Sequence, residues 1–137
     1  MPKYVRMVAP MLVCVDPEAE IDFCEAAFGA VELSRRSAED GSVTHATLGI
    51  SGLLIMLHGE TEQLASRAPQ LDGSSSVVIY IYLQDVDTVI ERAVASGARV
   101  LTPLENTFWG DRMARIVDPS GHVWNVASRV EGNSEGN

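Results

Sequence analysis

The chain has 137 residues, of which 46% are hydrophobic and 21% are charged, and its formal net charge at pH 7 is −9. This size and composition are typical of one globular domain that needs neither a disulfide nor a metal to fold. The chain has 10 basic and 19 acidic residues and no cluster of lysine or arginine, so we expect no nucleic-acid partner. The acidic excess is explained most simply by solubility and is only a weak indication of a cationic ligand.

No apolar run approaches the roughly 18 residues that a membrane-spanning helix requires; the longest covers residues 77–83. The N-terminus also lacks the apolar stretch and small-residue cleavage site of a signal peptide. We therefore expect a cytoplasmic protein with no membrane partner. Cys14 and Cys24 have no CxxC spacing, so both are predicted to be buried free thiols.

The first half of the chain has the pattern of one helix among four strands. Asp16 is a favourable N-cap and Pro17 suits the first helical position, so a helix begins there, and Gly29 ends it. Segments rich in strand-forming residues, separated by turn signals, follow the helix. The predicted elements, in order, are a strand over residues 5–15, a helix over 17–28 and strands over 30–37, 42–50 and 53–58.

The second half repeats this pattern at nearly the same intervals, with Asp85 in the place of Asp16 and Gly97 in the place of Gly29. The fold class is therefore predicted as α+β, with two tandem βαβββ modules whose mixed sheets curve around a shared cavity. The predicted elements are a strand over 77–83, a helix from 86 that closes at Gly97, strands over 99–102, 111–117 and 122–128, and a loop over 103–110. The single domain, residues 1–137, comprises module one (5–58), a linker (59–76), module two (77–128) and a disordered tail (129–137).

Six short segments, in this order and within the duplicated frame, carry a resemblance to a known family. They are LVCVD at 12–16, IDF at 21–23, FGA at 28–30, THATL at 44–48, FWGDR at 108–112 and DPSGHVW at 118–124. Together they resemble the glyoxalase/bleomycin resistance/dioxygenase group, the vicinal oxygen chelate superfamily. The resemblance implies the glyoxalase/bleomycin resistance fold. It points to a small bacterial branch, without a metal, that is similar to antibiotic-binding resistance proteins.

The resemblance also implies where the metal ligands of the family's enzymes would lie. Those positions are Ala9, Thr47, Val78 and Asn125 here, and none is a usual ligand for a divalent ion. The chain's imidazoles, His45, His58 and His122, are spaced poorly for a common site. No nucleophile elbow or dinucleotide fingerprint is present either. The prediction is therefore no cofactor, no metal and no catalytic residue.

Alternation of side chains along the strands, counted from the ligand-type positions, predicts which residues face the cavity. In the loop that closes the pocket in the family, Trp109 is expected to stack on a flat ligand with Tyr80, while Asp111 and Arg112 fix the ligand's polar edge. Alternatively, Asp111 and Arg112 only pin the loop by an ion pair. Trp124 points the opposite way from Asn125 and is predicted to pack in the core. The predicted ligand-binding residues are Met11, His45, Thr47, Met56, Tyr80, Trp109, Asp111, Arg112 and Asn125.

These features favour a non-enzymatic protein that sequesters a planar or cationic antibiotic or other natural product, for self-resistance or carriage. The resemblance implies a homodimer in which a second subunit completes the cavity. One alternative is a metal-dependent lyase, isomerase or dioxygenase of the same superfamily, with ligands at other positions. Another is a regulatory or structural module whose cavity is filled by its own side chains.

Overall fold

The computed structural model describes residues 7–63 and 65–130. Each half of the chain forms one helix and four strands, as the sequence predicts. The elements are β1 (Met11–Cys14), α1 (Pro17–Phe28), β2 (Val31–Ser37), β3 (Val43–Ile50), β4 (Leu53–Gly59), β5 (Val78–Tyr82), α2 (Val86–Ala95), β6 (Arg99–Asn106), β7 (Asp111–Val117) and β8 (Val123–Arg129).

The eight strands form two separate sheets of the same topology. The strand orders are β1-β4-β3-β2 and β5-β8-β7-β6. In each sheet the first strand pairs in parallel with the last strand of its module, and the other pairs are antiparallel. Each helix covers one face of its sheet, and the opposite face, called the open face below, is left without a helix.

Local sequence chemistry explains the helix ends. The side chain of Asp16 accepts a hydrogen bond from the backbone N–H of Ala19 at 3.3 Å, and Pro17 occupies the first turn. Gly29 adopts φ 71° and donates its N–H to the Glu25 carbonyl. The observed bounds of α1 therefore equal the predicted ones.

Two predicted strand bounds differ from the structure by more than one residue, and proline bears on both. β1 begins at Met11 rather than at residue 5, directly after Pro10, whose nitrogen has no hydrogen to donate; residues 5 and 6 lie outside the described ranges. β6 continues to Asn106 through the region predicted as a loop. Because β6 is an edge strand, Pro103 removes no needed hydrogen bond, and the register shift between Thr102 and Glu105, the stretch that contains Pro103, absorbs the irregularity. The predicted tail starts too early, because β8 includes Arg129, and residues 131–137 of that tail lie outside the described ranges.

The two modules meet through their helices and through one aromatic contact. α1 packs against α2, and the rings of Phe28 and Trp124 lie 4.7 Å apart between centroids. Trp124 is fully buried and donates its indole N–H to Asp118 at 2.9 Å, so it belongs to the core, as predicted. His122 Nε2 lies 2.9 Å from the carbonyl oxygen of Val13.

Within one chain the predicted shared cavity is not closed. In the part of the chain that the structure describes, no strand of one sheet pairs with a strand of the other. Large apolar side chains on both open faces stay accessible, including Met11 at 47% and Tyr82 at 45% exposure. Among the described residues, no helix has the length and apolar character needed to cross a membrane.

A buried polar cluster lies beneath the junction of the modules. Cys14 and Cys24 are buried and free, as predicted, and the Cys24 thiol donates to the Glu20 carboxyl at 3.9 Å. The Glu20 side chain is fully buried. Burial raises the pKa of the Glu20 carboxyl well above its ordinary range, and the nearby Asp118 carboxyl raises it further. Glu20 is therefore held in its protonated form by the fold.

Replacing Glu20 by glutamine should make the protein less sensitive to alkaline pH. The raised pKa means that the folded state keeps a proton that the unfolded chain releases above its ordinary value of 4.5. The free energy of unfolding therefore falls as the pH rises above that value, until the folded carboxyl itself titrates. In Glu20→Gln this loss is removed, so urea unfolding at about pH 5 and about pH 8 should show a smaller difference than in the wild type. Glu25→Gln, at an exposed position of the same helix, is the control and should behave as the wild type; an equal pH dependence in Glu20→Gln would contradict the assignment.

Candidate functional site

The open face of the second sheet carries a cluster of aromatic side chains around one carboxylate. Tyr80 and Tyr82 donate their hydroxyls to Asp111 Oδ2 at 2.5 and 2.7 Å. The Trp109 indole N–H donates to the same oxygen at 2.9 Å and lies 3.1 Å from the Tyr80 hydroxyl. We call these four residues, Tyr80, Tyr82, Trp109 and Asp111, the aromatic cluster.

Asp111 is the fully buried centre of the cluster, whereas the rings around it are accessible. Its side chain has no exposed surface, while Tyr80 and Trp109 are 39% and 45% exposed. The centroids of the Tyr80 and Tyr82 rings lie 5.3 Å apart with an interplanar angle of 36°. A molecule on this face therefore meets ring surfaces and not the carboxylate itself.

The charge of Asp111 is compensated inside the protein. Burial by itself raises the pKa of Asp111, but the hydrogen bonds from Tyr80, Tyr82 and Trp109 outweigh it and hold the pKa below the ordinary value. Asp111 Oδ1 has no hydrogen-bond donor among the described residues, and Arg129 Nη1 lies 3.7 Å from it. Burial and the bond to Asp111 together raise the pKa of Tyr80 to about 12. The carboxylate thus stays ionised and the Tyr80 hydroxyl stays protonated.

A tight turn between β6 and β7 positions Trp109. The Thr107 N–H donates to the Asp111 carbonyl at 2.7 Å, and the Gly110 N–H donates to the Thr107 carbonyl at 3.3 Å. Gly110 has φ 96°, a conformation that favours glycine. The turn folds Trp109 back onto the sheet and leaves Phe108 97% exposed.

The open face of the first sheet groups four of the predicted ligand-binding residues. The register places Met11 beside Met56, and Met56 beside Thr47. His45 lies opposite His58 in the next row. The structure therefore brings Met11, His45, Thr47 and Met56 to one surface, which alternation along the strands predicts.

Arg112 does not join the aromatic cluster. It lies on the helix-covered face, where its guanidinium pairs with Asp87 of α2 through bonds of 2.8 and 2.9 Å and contacts Asn106 at 3.3 Å. The ion pair of Asp111 with Arg112 that the sequence left open is also not formed. Adjacent residues of a strand point to opposite faces, so Asp111 and Arg112 cannot meet at one rim.

Asn125 is held by an arginine that the sequence reasoning missed. Arg115 Nε donates to Asn125 Oδ1 at 2.7 Å, and the register places Tyr80, Asn125 and Arg115 in one row across the sheet. Counting by twos from Asp111 along β7 gives Met113 and Arg115. Alternation along the strand therefore predicts that Arg115 lies on the open face.

The donor set does not suit a divalent metal ion. The positions where the resemblance places metal ligands hold Ala9, Thr47, Val78 and Asn125, and the Asn125 oxygen already accepts from Arg115. No group of three histidine, cysteine, aspartate or glutamate side chains in residues 7–63 and 65–130 has a metal-binding arrangement. We therefore derive no chemistry through a metal.

A sequence profile described as "Glyoxalase/Bleomycin resistance protein/Dioxygenase superfamily" matches residues 6–126. This chain belongs to that superfamily. A similar sequence from Mycobacterium bovis, an uncharacterized protein, is 40% identical over 126 residues, which cover 90% of this chain and 83% of the relative. An uncharacterized protein of Mycobacterium tuberculosis H37Rv shows the same identity, and the match covers 74% of its length.

Solved structures of the superfamily have the same fold. TioX from Micromonospora sp. ML1 is 27% identical with a TM-score of 0.70, and the match covers 90% of this chain and 95% of TioX. The fosfomycin resistance protein FosX from Listeria monocytogenes, solved with Mn(II) and sulfate, is 18% identical with a TM-score of 0.69 and covers 95% and 94% of the two chains. At that identity the likeness to FosX shows the fold alone.

Replacing Asp111 by asparagine should loosen the aromatic cluster. The variant keeps the shape of the side chain but removes the charge that the three donors stabilise, so we expect a loss of about 1–3 kcal/mol in the free energy of unfolding. The pKa of Tyr80 should fall from about 12 toward its ordinary value of 10.0, measured by tyrosinate absorbance during alkaline titration. Asp87→Asn, which neutralises a carboxylate on the helix-covered face, should leave the titration unchanged. An identical tyrosine titration in wild type and Asp111→Asn would show that the cluster is not organised by this charge.

Proposed function

We propose that this protein binds and sequesters a planar aromatic small molecule, of the antibiotic or natural-product class, without transforming it chemically. The observation that carries the proposal is the aromatic cluster: two tyrosines and a tryptophan with accessible rings, fixed by one buried carboxylate. Membership in a superfamily whose name includes a bleomycin resistance protein agrees with this role.

Fixed aromatic rings favour binding of flat molecules for two reasons. Burial of apolar surface contributes about 25 cal/mol per Å², and correctly placed ring pairs add about 0.5–1.5 kcal/mol each. The hydrogen bonds to Asp111 also hold the rings before the ligand arrives, so less conformational entropy is lost on binding. Ring faces attract cations as well, so a cationic planar ligand fits the same surface.

Sequestration fits this site better than catalysis does. The cluster holds no group poised for proton transfer, because Asp111 is buried and its pKa is lowered, while the pKa of Tyr80 is raised. The metal-ligand positions of the family lack ligating side chains. Binding energy, rather than a chemical step, is what this surface supplies.

We also propose that the binding unit is a homodimer. The open face of each sheet is accessible in the single chain, and both faces carry exposed apolar side chains, such as Leu54 and Met11 on the first and Tyr82 on the second. A module from a second copy that covers these faces would turn two shallow surfaces into an enclosed pocket.

Replacing Trp109 by alanine should weaken ligand binding by more than about 1 kcal/mol, or more than about fivefold in Kd, because the ring supplies the most extended surface of the cluster. The melting temperature should fall less than in Asp111→Asn, because Tyr80 and Tyr82 still donate to the carboxylate and nearly half of the Trp109 side chain is exposed. The measurement is isothermal titration calorimetry with planar antibiotics and with the neutral probe 2-naphthamide, after dialysis against a metal chelator.

Leu71→Ala is the control for this experiment, because it removes an exposed apolar side chain from the connection between the modules, away from the cluster. It should bind as the wild type does. Equal affinity in Trp109→Ala and wild type would remove Trp109 from the site. Binding that appears only after a divalent metal is added back would refute metal-free sequestration.

A further inference from the structure

Arg115 differs from Arg112 and Arg129 in its partners. Its Nε donates to an amide oxygen, that of Asn125, at 2.7 Å, whereas Arg112 and Arg129 lie beside carboxylates. Across the described residues, Arg115 pairs with no carboxylate, and its Nη1 and Nη2 have no hydrogen-bond partner. A half-buried guanidinium is thus held in one orientation by a neutral group and keeps its full charge available.

The position of this guanidinium connects it to the aromatic cluster. Arg115 and Tyr80 flank Asn125 on neighbouring strands in exact register. Two strand spacings separate their backbones by roughly 10 Å. A bicyclic ring that rests on Tyr80 can therefore place a substituent beside Arg115.

The charge distribution over the molecule also favours an acidic substituent at this point. The acidic side chains lie largely on helices and connections: α1 alone contains Glu18, Asp22 and Glu25. On the open faces the register places Arg36, Arg115 and Arg129. The charge of Asp111, which lies on the same face, is already compensated by its neighbours, including Arg129. Glu105 lies on the edge strand β6.

We propose that Arg115, oriented by Asn125, recognises a carboxylate on the planar ligand. This inference rests on the proposed function and specifies its ligand as an aromatic carboxylic acid. With Nε engaged by Asn125, the two Nη groups present parallel N–H donors that match the two oxygens of a carboxylate. The resemblance places a metal ligand at Asn125. In this interpretation the fixed Arg115 guanidinium supplies positive charge beside Asn125 instead of a metal ion.

The test compares two probes of the same size, 2-naphthoate and its neutral amide 2-naphthamide, by isothermal titration calorimetry. Wild type should bind 2-naphthoate at least about tenfold more tightly, because a hydrogen bond between two charged groups is stronger than one to a neutral amide. Arg115→Gln should lose this preference while its affinity for 2-naphthamide stays unchanged, and Arg115→Lys should keep part of it. The control Arg35→Gln removes a positive charge on the helix-covered face of the first sheet and should retain the full preference.

The outcomes separate this inference from the proposed function. If both probes bind to wild type with equal affinity, recognition of the carboxylate is overturned and aromatic sequestration stands. If neither probe binds, both proposals are overturned. A carboxylate preference that persists undiminished in Arg115→Gln would place the anion-binding group elsewhere. The comparison of the two probes in wild type does not depend on whether a variant folds.

Discussion

The buried carboxylate of Asp111 is the interaction on which the open face of the second sheet depends. A side chain without exposed surface would be costly to ionise, yet two phenols and one indole donate to it, and Arg129 lies close by. These hydrogen bonds have two effects. They keep the carboxylate charged, and they fix three large rings whose faces remain accessible. Removing one anion would release all three rings, so the surface is organised from its centre rather than by separate contacts.

Side chains also fix one another on the rest of the open face. Asn125 and Arg115 fix each other in the row beside the cluster, while the helix-covered side holds the core and the junction of the modules through Phe28 and Trp124. The core and the proposed binding surface thus lie on opposite faces of the sheet. Substitutions of exposed side chains on the open face should change binding with little effect on folding, whereas substitutions of buried groups such as Asp111 and Glu20 should change stability. Proteins with the same fold and different functions can differ in this way, through the side chains on one face of the sheet.

Much of this fold is readable from the sequence because the signals are local. Asp16, Pro17 and Gly29 fix the ends of α1, and the repeat of the same signals at Asp85 and Gly97 predicts two modules. Alternation along the strands also brings Tyr80, Met56 and Thr47 to open faces. Tertiary context decided the rest. Residues 103–106 can form a strand because β6 lies at the edge of its sheet. The partners of Asp111 depend on Tyr80 and Tyr82, which lie about 30 residues away in sequence. Alternation from Asp111 reaches Arg115, but the pattern alone does not reveal its hydrogen bond to Asn125.

The chain's two tryptophans make a direct test of the central claim possible within one molecule. Trp109 lies in the aromatic cluster and Trp124 lies in the core, and each donates its indole N–H to an aspartate. In a ¹H–¹⁵N correlation spectrum, titration with a planar aromatic ligand such as 2-naphthoate should shift the Trp109 indole signal saturably and leave that of Trp124 in place. Saturable binding that leaves the Trp109 signal unmoved would contradict the account, because the ligand would then lie elsewhere on the protein.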